Sequence, residues 1–329
     1  MARRIKGVGL LSGGLDSVLA VKVVLEQLAE VEGVTFSTPF FGPDAGLEAG
    51  RMAGIPVRAV DIGEAYMEML KDPVYGYGKH LNPCIDCHAL MLKEAGKIME
   101  REGADFLFTG EVVGQRPMSQ RRDSMRSVEK LSGYQGRVLR PLSAKLLPPT
   151  LVEEEGLLDR EKLLDLHGRG RKRQMELARH YGIHRYPQPG GGCLLTKEGF
   201  AGKLRRLMSF DAAPALHRVE SLKWGRLFRI SSASLLVAGR DRKDNGMLRS
   251  LAGEEEVVLH VPGYRGPTGL LMVSEREWEE DGRKAGRIVA AFSDIPRGAR
   301  VRVQWRKEGE TGSLEVVTEG RDGFLRDRV

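Results

Sequence analysis

Short apolar runs alternate with amphipathic stretches through the first half of the chain. Five of these runs are predicted strands, at 5–11, 34–40, 57–61, 106–109 and 138–139. Apolar residues at helical spacing predict helices between them, notably at 16–28, 88–101 and 118–131. Strands that alternate with helices predict a parallel sheet with helices on both faces. In such α/β sheets, ligands bind beyond the carboxyl ends of the strands.

The pattern changes after the fifth strand. Thr150 and Glu153 fit a capping box that starts a helix, and two more helices are predicted at 159–167 and 171–181. The Pro- and Gly-rich segment 186–193 is predicted to be a loop.

Short β-like runs dominate from Gly225 onward, at 227–230, 235–237, 257–260 and 301–303. Two helical patches interrupt them, at about 243–252 and 274–293. This pattern predicts a second, smaller α+β domain. The predicted domains are therefore 1–205 and 220–329.

The stretch from Ser12 to Ser17, S-G-G-L-D-S, stands between the first strand and the first helix. Gly13 and Gly14 allow a sharp turn and leave backbone amides open to a ligand. The helix that follows directs its free N–H groups and its dipole at the same place, and both serines add hydroxyls. The loop lacks the Lys of a G-x-x-x-x-G-K-[ST] site. Asp16 is suited to hold a Mg²⁺ that bridges to phosphate.

Other residues are predicted to reach this same edge of the sheet. Phe40 follows the second strand, while Thr109, Gly110 and Gln115 follow the fourth. If the ligand is ATP, as the resemblance of the S-G-G-L-D-S loop given below implies, we expect its adenine to lie against the end of the second strand, close to these residues.

The chain has three cysteines, Cys84, Cys87 and Cys193, and an odd number argues against a disulfide framework. Four interpretations of these cysteines are open. They are unrelated thiols, a zinc site with His88 or His80 as the fourth ligand, or a catalytic disulfide between Cys193 and one of the other two. The fourth interpretation is an iron–sulfur cluster held by three thiolates, which leaves one iron open to bind sulfide. Zinc and cluster are equally compatible with the residues alone.

Composition describes a globular protein of 329 residues, 41% hydrophobic and 29% charged. No apolar run is long enough to span a membrane, and the N-terminus leaves no room for a signal peptide, so we expect a cytoplasmic protein. The net charge of +7 favours a polyanionic partner.

Three basic clusters together offer a track for the phosphate backbone of a nucleic acid, although each cluster alone is typical of an ordinary solvated face. They are Arg116, Arg121, Arg122 and Arg126; Arg169, Arg171, Lys172 and Arg173; and Lys203, Arg205 and Arg206.

The S-G-G-x-D-S string resembles the pyrophosphate loop (PP-loop) of ATP-pyrophosphatases, the adenine nucleotide alpha hydrolase-like fold. The strings C-I-D-C-H at 84–88, T-G-E-V-V-G-Q at 109–115, S-Q at 119–120 and L-R-P-L at 139–142 follow in order. Together they resemble the tRNA 4-thiouridine synthases (ThiI). In iron–sulfur members of tRNA-thiolating families a C-x-x-C pair and one later cysteine hold a [4Fe-4S] cluster. The resemblance implies that Cys84, Cys87 and Cys193 do so here, and it favours the cluster over zinc.

The C-terminal domain carries a second resemblance. The stretch 236–245, L-V-A-G-R-D-R-K-D-N, looks like the G-R-x-x-x-x-N signature of NFACT-R domains, which are associated with binding RNA, including tRNA. The alternative is a small α+β domain that packs on the first and binds nothing.

These resemblances imply an ATP-dependent tRNA sulfurtransferase that adenylates a uridine carbonyl and forms 4-thiouridine. Asp16 and the three cysteines would be catalytic, with ATP, Mg²⁺ and the cluster as cofactors. Sulfide or a sulfur-donor protein, such as a cysteine desulfurase, would supply sulfur. The alternatives are a 2-thiouridine synthase, a zinc-containing PP-loop enzyme that amidates a small molecule, and a non-catalytic RNA-binding factor. We expect this chain to carry neither the N-terminal THUMP and ferredoxin-like domains nor the rhodanese-like sulfur carrier of the 4-thiouridine synthases, and these departures leave the target uridine and the sulfur donor open.

Overall fold

A computed structural model describes residues 5–27, 30–186, 192–274 and 278–329. The chain forms two compact units that divide after Thr196. None of the helices in the described ranges has the length and apolarity that crossing a membrane requires.

The first unit is built on a five-stranded parallel sheet with strand order β3-β2-β1-β4-β5. Its strands are β1 Lys6–Leu10, β2 Glu30–Ser37, β3 Val57–Asp61, β4 Phe106–Thr109 and β5 Val138–Leu139. Its α-helices are α1 Leu15–Leu25, α2 Asp44–Ala53, α3 Gly63–Lys71, α4 Cys84–Arg101, α5 Arg122–Ser132, α6 Leu151–Glu154 and α7 Lys172–His180. This arrangement confirms the predicted α/β class and the five predicted strands.

Among the helices of the first unit, α1 has the largest fraction of buried residues. Eight of its eleven residues are buried, because α2 and α7 cover the sides that do not face the sheet. That position explains why its sequence is apolar nearly all round. The predicted capping box at the start of α6 is present, since Thr150 N donates to Glu153 Oε2 at 2.8 Å.

The helix predicted at 159–167 is wrong, because only a 3-10 turn forms, at Arg160–Lys162. The backbone beyond it runs extended, and Leu164 N donates to Pro141 O at 2.9 Å while Leu166 N donates to Leu142 O at 2.8 Å. Burial of Leu163 and Leu166 in the core outweighs the helical spacing of this segment. Of the loop predicted at 186–193, residues 187–191 lie outside the described residues.

The second unit has a six-stranded antiparallel sheet with strand order β11-β10-β8-β9-β7-β6. The strands are β6 Arg226–Arg229, β7 Ser234–Ala238, β8 Val257–His260, β9 Gly269–Val273, β10 Arg300–Lys307 and β11 Glu310–Val317. The helices are α8 Glu198–Phe210, α9 Leu216–Ser221, α10 Arg242–Leu251 and α11 Glu279–Ala291. Helix α11 packs on the sheet, and Ile288 and Val289 are fully buried there.

Helix α8 belongs to the second unit, although the sequence pattern placed residues up to 205 in the first. Lys203 Nζ donates to the carbonyl oxygens of Leu222 at 3.1 Å and Gly225 at 2.6 Å, which ties α8 to the start of β6. The third basic cluster, around Lys203, is therefore not part of the unit that carries the S-G-G-L-D-S loop.

The G-R-x-x-x-x-N signature has a structural use in this unit. Asn245 Nδ2 donates to Gly266 O at 3.0 Å, and its Oδ1 accepts from Thr268 N at 2.8 Å, which joins α10 to the segment before β9. A Cβ at Gly239 would lie 2.2 Å from Asn245 Oδ1, so only glycine fits there. Arg240 Nε donates to Asp244 Oδ2 at 2.6 Å. The signature thus holds the β7–α10 turn in place.

We expect Asn245→Ala to lower the free energy of unfolding by about 1–3 kcal/mol, because the Gly266 carbonyl and the Thr268 amide lose their partner. Thermal or denaturant unfolding of the full chain measures the loss. Arg242→Ala is the matched control, since Arg242 is exposed on the first turn of the same helix. Equal stability of the two variants would contradict the structural role of Asn245.

Candidate functional site

The S-G-G-L-D-S loop turns directly from the carboxyl end of β1 into α1. Gly14 is the N-cap residue, and Ser17 Oγ donates to Gly14 O at 2.7 Å, which closes the first turn. Ser12 is exposed and Ser17 is buried. The free N–H groups of α1 therefore open on the carboxyl edge of the sheet, where an anion gains from their partial positive charge.

Two glycines hold this loop tightly against its neighbours. Gly13 has φ +85°, and a Cβ there would lie 2.3 Å from Ala45 Cβ in α2. Gly110, just beyond β4, would place a Cβ 2.5 Å from Asp16 C and Ser17 N. The backbone after β4 thus rests directly on the first turn of α1, which no side chain at position 110 permits.

Asp16, on the first turn of α1, has a hydrogen bond to only one of its two carboxylate oxygens among the described residues. Gln115 Nε2 donates to Asp16 Oδ2 at 2.8 Å. Among the described residues, Asp16 Oδ1 and Gln115 Oε1 are both buried without a hydrogen-bond partner. Burial raises the pKa of Asp16, against the lowering effects of Gln115, Arg171 and Arg116. Two neighbouring oxygen atoms are therefore left available to a ligand.

The segment before α7 brings a cation to the same place. His167 pairs with Val113 in an isolated parallel bridge, and Gly168 N donates to Val113 O at 2.8 Å. Arg171 follows as the N-cap residue of α7, and within the described ranges its Nε is buried without a partner. Its charge acts on Asp16, so an unpaired guanidinium nitrogen and an unpaired carboxylate oxygen lie at one edge.

Cys84 and Cys87 lie on the first turn of α4. Asn82 Nδ2 lies 3.2 Å from Cys84 Sγ. Asp86, between the two cysteines, is 2% exposed and accepts from Val74 N at 2.7 Å and Tyr75 N at 3.1 Å. The carboxylate thereby fixes the preceding loop against the turn that carries both thiols.

Cys193 reaches the same region from the far end of the unit. Leu194 N donates to Phe40 O at 3.0 Å, which joins its segment to the chain beyond β2. Burial raises the pKa of Cys87 to about 12, with Cys193 and Cys84 adding to it and a hydrogen bond from Tyr66 opposing it. Burial and Cys84 likewise raise the pKa of Cys193 to about 11. The three thiols therefore lie within electrostatic range of one another.

The three cysteines are free thiols. In the part of the chain that the structure describes, no group of three His, Cys, Asp or Glu side chains is close enough to hold a metal ion. The donor chemistry nevertheless suits a soft metal, because the three sulfurs share one region and burial raises the pKa of two of them, Cys87 and Cys193, so that a thiolate there needs a cation beside it. The residues present are thus the right kind for a cluster or zinc.

A buried ionic network connects the thiol-bearing helix to the sheet. Glu111 Oε1 lies 2.9 Å from His88 Nδ1, and Glu111 Oε2 accepts from Arg140 Nε at 2.9 Å and Thr109 Oγ1 at 3.1 Å. Arg140 also contacts Glu129 of α5. Burial alone raises the pKa of Glu111, but Arg140 and His88 outweigh it and lower it to about 2. Glu111 is therefore ionised and links the ends of β4 and β5 to α4.

The structure brings most of the sequence-predicted residues to one edge. The loop from Ser12 to Ser17 contacts Gly110 and Gln115, and Glu111 links this group to His88, directly after Cys87. Thr109 uses its hydroxyl within the network. Phe40 is 1% exposed, with its ring centroid 5.3 Å from that of Tyr66, so its contact with adenine stays a prediction.

Sequence reasoning gave no role to Glu111, Arg140 or Tyr66, and it placed Arg171 in a basic cluster but not at the phosphate loop. Glu111 and Arg140 stand within the quoted strings T-G-E-V-V-G-Q and L-R-P-L, at the ends of β4 and β5. Opposite charges that follow two neighbouring strands were the feature of the sequence that could have predicted this ion pair. Nothing in the sequence pointed to Tyr66, and nothing in it placed Arg171 beside Asp16.

Comparisons with known proteins agree with the two resemblances. Residues 3–145 match the family described as Thiamine biosynthesis protein (ThiI). Residues 225–321 match the NFACT protein RNA binding domain. The prediction of a ThiI-like PP-loop domain followed by an NFACT-R-like domain is thereby confirmed.

Two curated relatives, both named tRNA-specific 2-thiouridylase MnmA, are 34% identical to the chain. The protein from Syntrophotalea carbinolica matches over 30% of this chain and 32% of its own length. The protein from Nitratidesulfovibrio vulgaris matches over 32% of this chain and 34% of its own length. The chain thus spans about a third of the length of these relatives. A solved structure of a predicted tRNA methyltransferase subunit from Methanocaldococcus jannaschii covers 54% of this chain and 76% of its own, at 16% identity and a TM-score of 0.32.

The buried Glu111 network predicts a pH dependence of stability. Because the pKa of Glu111 is lowered to about 2, its ion pairs stabilise the fold fully above about pH 4.5 and are lost as the pH falls towards 2. Glu111→Gln should lower the free energy of unfolding by up to about 3–5 kcal/mol at neutral pH, since it removes the more buried of the two carboxylates that pair with Arg140 and leaves only Glu129. Unfolding measured from pH 7 to pH 3 should show a flatter pH profile for the variant.

Glu102→Gln is the matched control, because Glu102 also pairs with an arginine, Arg58, but at the surface. Its stability should stay close to that of the unaltered protein. A Glu111→Gln protein that behaves like this control would show that the network does not hold the fold.

Proposed function

We propose that the chain is an ATP-dependent tRNA sulfurtransferase that adenylates a uridine carbonyl oxygen and replaces it with sulfur, forming 4-thiouridine. One observation supports it most. Asp16, on the first turn of α1, has a buried oxygen with no hydrogen-bond partner among the described residues. The contacts of His88 with Glu111 and of Leu194 with Phe40 bring the segments that carry the three free thiols to the ends of β4 and β2. The ThiI match and the thiouridylase relatives support the same reaction class.

The loop would bind the β- and γ-phosphates of ATP. The amides at the start of α1 and the hydroxyls of Ser12 and Ser17 are donors, and Gly13 and Gly14 let the phosphates approach the backbone. Arg171, whose Nε has no partner among the described residues, would contact a phosphate oxygen. The uridine oxygen attacks the α-phosphorus, and pyrophosphate leaves with the bonding electron pair.

Mg²⁺ fits the oxygen atoms left unpaired at this edge. A hard cation prefers carboxylate and amide oxygens, and Asp16 Oδ1 and Gln115 Oε1 are of this kind. Bound there, the ion would neutralise charge that develops on the pyrophosphate. Gln115 would keep Asp16 oriented through its hydrogen bond to Oδ2.

Cys84, Cys87 and Cys193 would hold the [4Fe-4S] cluster, and zinc is the alternative. The cluster would supply an open iron position for sulfide. Tyr66, through its hydrogen bond to Cys87, and Asn82, beside Cys84, would orient the ligands. Sulfide from solution would attack the activated carbon, and AMP would depart with the oxygen. If a donor protein such as a cysteine desulfurase supplies the sulfur as a persulfide, a two-electron reductant such as a thiol pair would have to release it as sulfide.

The position of the sulfur on the ring has a second candidate. Both curated relatives are named 2-thiouridylases, and this favours 2-thiouridine as the alternative product. Digestion of the product tRNA to nucleosides and mass spectrometry against both standards distinguishes the two. The second unit, through its NFACT match, would bind the tRNA.

Asp16→Ala should lower ATP-dependent thiolation by about 10²-fold or more, because it removes the Mg²⁺ ligand beside the phosphates. Pyrophosphate release and thionucleoside formation from bulk tRNA, ATP and sulfide measure the loss. Asp44→Asn is the matched control, since Asp44 is exposed on the first turn of α2. Activity retained by the Asp16→Ala protein would exclude the assigned phosphate loop.

Cys193→Ser should lose bound iron, visible absorbance and thiolation when purified without oxygen, because two sulfurs cannot replace three. It should still release pyrophosphate from ATP when tRNA is present. The Asp16→Ala protein is the comparison variant, because it should keep its bound iron and lose thiolation. Zinc in place of iron in the unaltered protein would favour the zinc alternative, and an intact iron content in Cys193→Ser would disprove the ligand assignment.

A further inference from the structure

A cavity of about 350 Å³ lies in the second unit, beyond the edge strand β6. Its lining comes from α8, β6, α11 and the segment after β11. Five cationic side chains face it, and they are Arg206, Arg229, Lys284, Arg326 and Arg328. One carboxylate side chain, Asp327, also lines it. The cavity is therefore strongly basic.

Few of these charges are neutralised within the fold. Lys284 Nζ lies 3.5 Å from Asp327 Oδ1 and donates to Ile230 O at 2.8 Å. Among the described residues, no carboxylate lies within ion-pair distance of the four arginines. Their mutual repulsion costs free energy until an anion enters, so the cavity favours a ligand with several negative charges.

The positive charge continues along the same edge of the sheet. Arg328 pairs with Phe228 of β6 in an isolated antiparallel bridge. Arg226 and Arg321 lie over the Phe292 ring, 5.4 and 5.6 Å from its centroid. Burial and the nearby Arg328, Arg240 and Arg321 lower the pKa of Arg226. Unneutralised cations thus extend outside the cavity, where a compact anion would not reach them.

We propose that this cavity and the adjoining β6 edge bind consecutive phosphates of an RNA strand, with Arg229 and Arg326 contacting separate phosphates. Planar guanidinium groups hold phosphate oxygens in pairs, so four arginines suit a strand better than one isolated phosphate. The length of the basic track and the NFACT match of this unit support RNA over a free nucleotide. The proposal deepens the proposed function, on which its choice of tRNA rests.

The test compares two double variants of the full chain. Arg229→Gln with Arg326→Gln removes two cavity charges. Arg302→Gln with Arg306→Gln removes two charges from β10, which neighbours the opposite edge strand β11 and is separated from β6 by β8, β9 and β7. Both members of the control pair are exposed, so both proteins carry the same net charge and the same kind of substitution. Thermal unfolding verifies that each variant is folded.

Binding of unmodified bulk tRNA is measured at several salt concentrations. The cavity variant should bind about tenfold or more weakly near 0.1 M salt, and its slope of log K against log salt should fall by about 1.5–2. The control variant should keep both values close to those of the unaltered protein. Equal losses in the two variants, or none in either, would overturn the proposal.

Two further measurements separate the sources of failure. Excess inorganic phosphate that abolishes tRNA binding at constant ionic strength would show a site for free phosphate and contradict a strand site. Thiolation by the unaltered protein, with unchanged tRNA binding by the cavity variant, would reject this site and leave the sulfurtransferase proposal standing. If the unaltered protein does not thiolate tRNA but the cavity variant binds tRNA more weakly, the sulfurtransferase proposal is rejected and the RNA site in the cavity stands.

Discussion

The first unit depends on a buried carboxylate, Glu111, that pairs with the Arg140 guanidinium and also contacts His88 and the Thr109 hydroxyl. Burial of a charge costs several kcal/mol unless partners compensate for it. Here Arg140 supplies the main compensation, and His88 and Thr109 complete the set. These partners come from β4, β5 and α4, so the network fixes the first turn of α4 against the sheet. The thiols of that turn are placed by an interaction in which they take no part.

The carboxyl edge of the parallel sheet is also where the fold leaves polar groups unsatisfied. Buried atoms without partners include Asp16 Oδ1, Gln115 Oε1, Gln120 Oε1 and Arg171 Nε in the described ranges. Folded proteins rarely leave such atoms unpaired away from a ligand. Gln115 and Arg171 lie beside Asp16 at the start of α1, so their unpaired atoms suit the nucleotide and cation proposed for this edge.

The second unit separates the residues that define its family from those that carry free charge. Asn245 and Asp244 of the signature are engaged in hydrogen bonds that hold the β7–α10 turn. The unpaired arginines lie elsewhere, around the β6 edge and on the segment after β11. A motif that identifies a domain need not be the part that contacts its ligand.

The sequence alone determined the α/β class, the five parallel strands and the phosphate loop, because apolar periodicity and glycine-serine turns act over a few neighbouring residues. It also brought the three cysteines into one hypothesis. Tertiary structure decided the remainder. The backbone after Lys162 runs extended along Pro141 and Leu142, α8 joins the second unit, and Glu111 and Arg171 lie beside the residues predicted for the site. Each of these features depends on partners that are distant in the sequence. The spacing of neighbouring residues does not indicate which charges or carbonyl groups will be in contact in the folded protein.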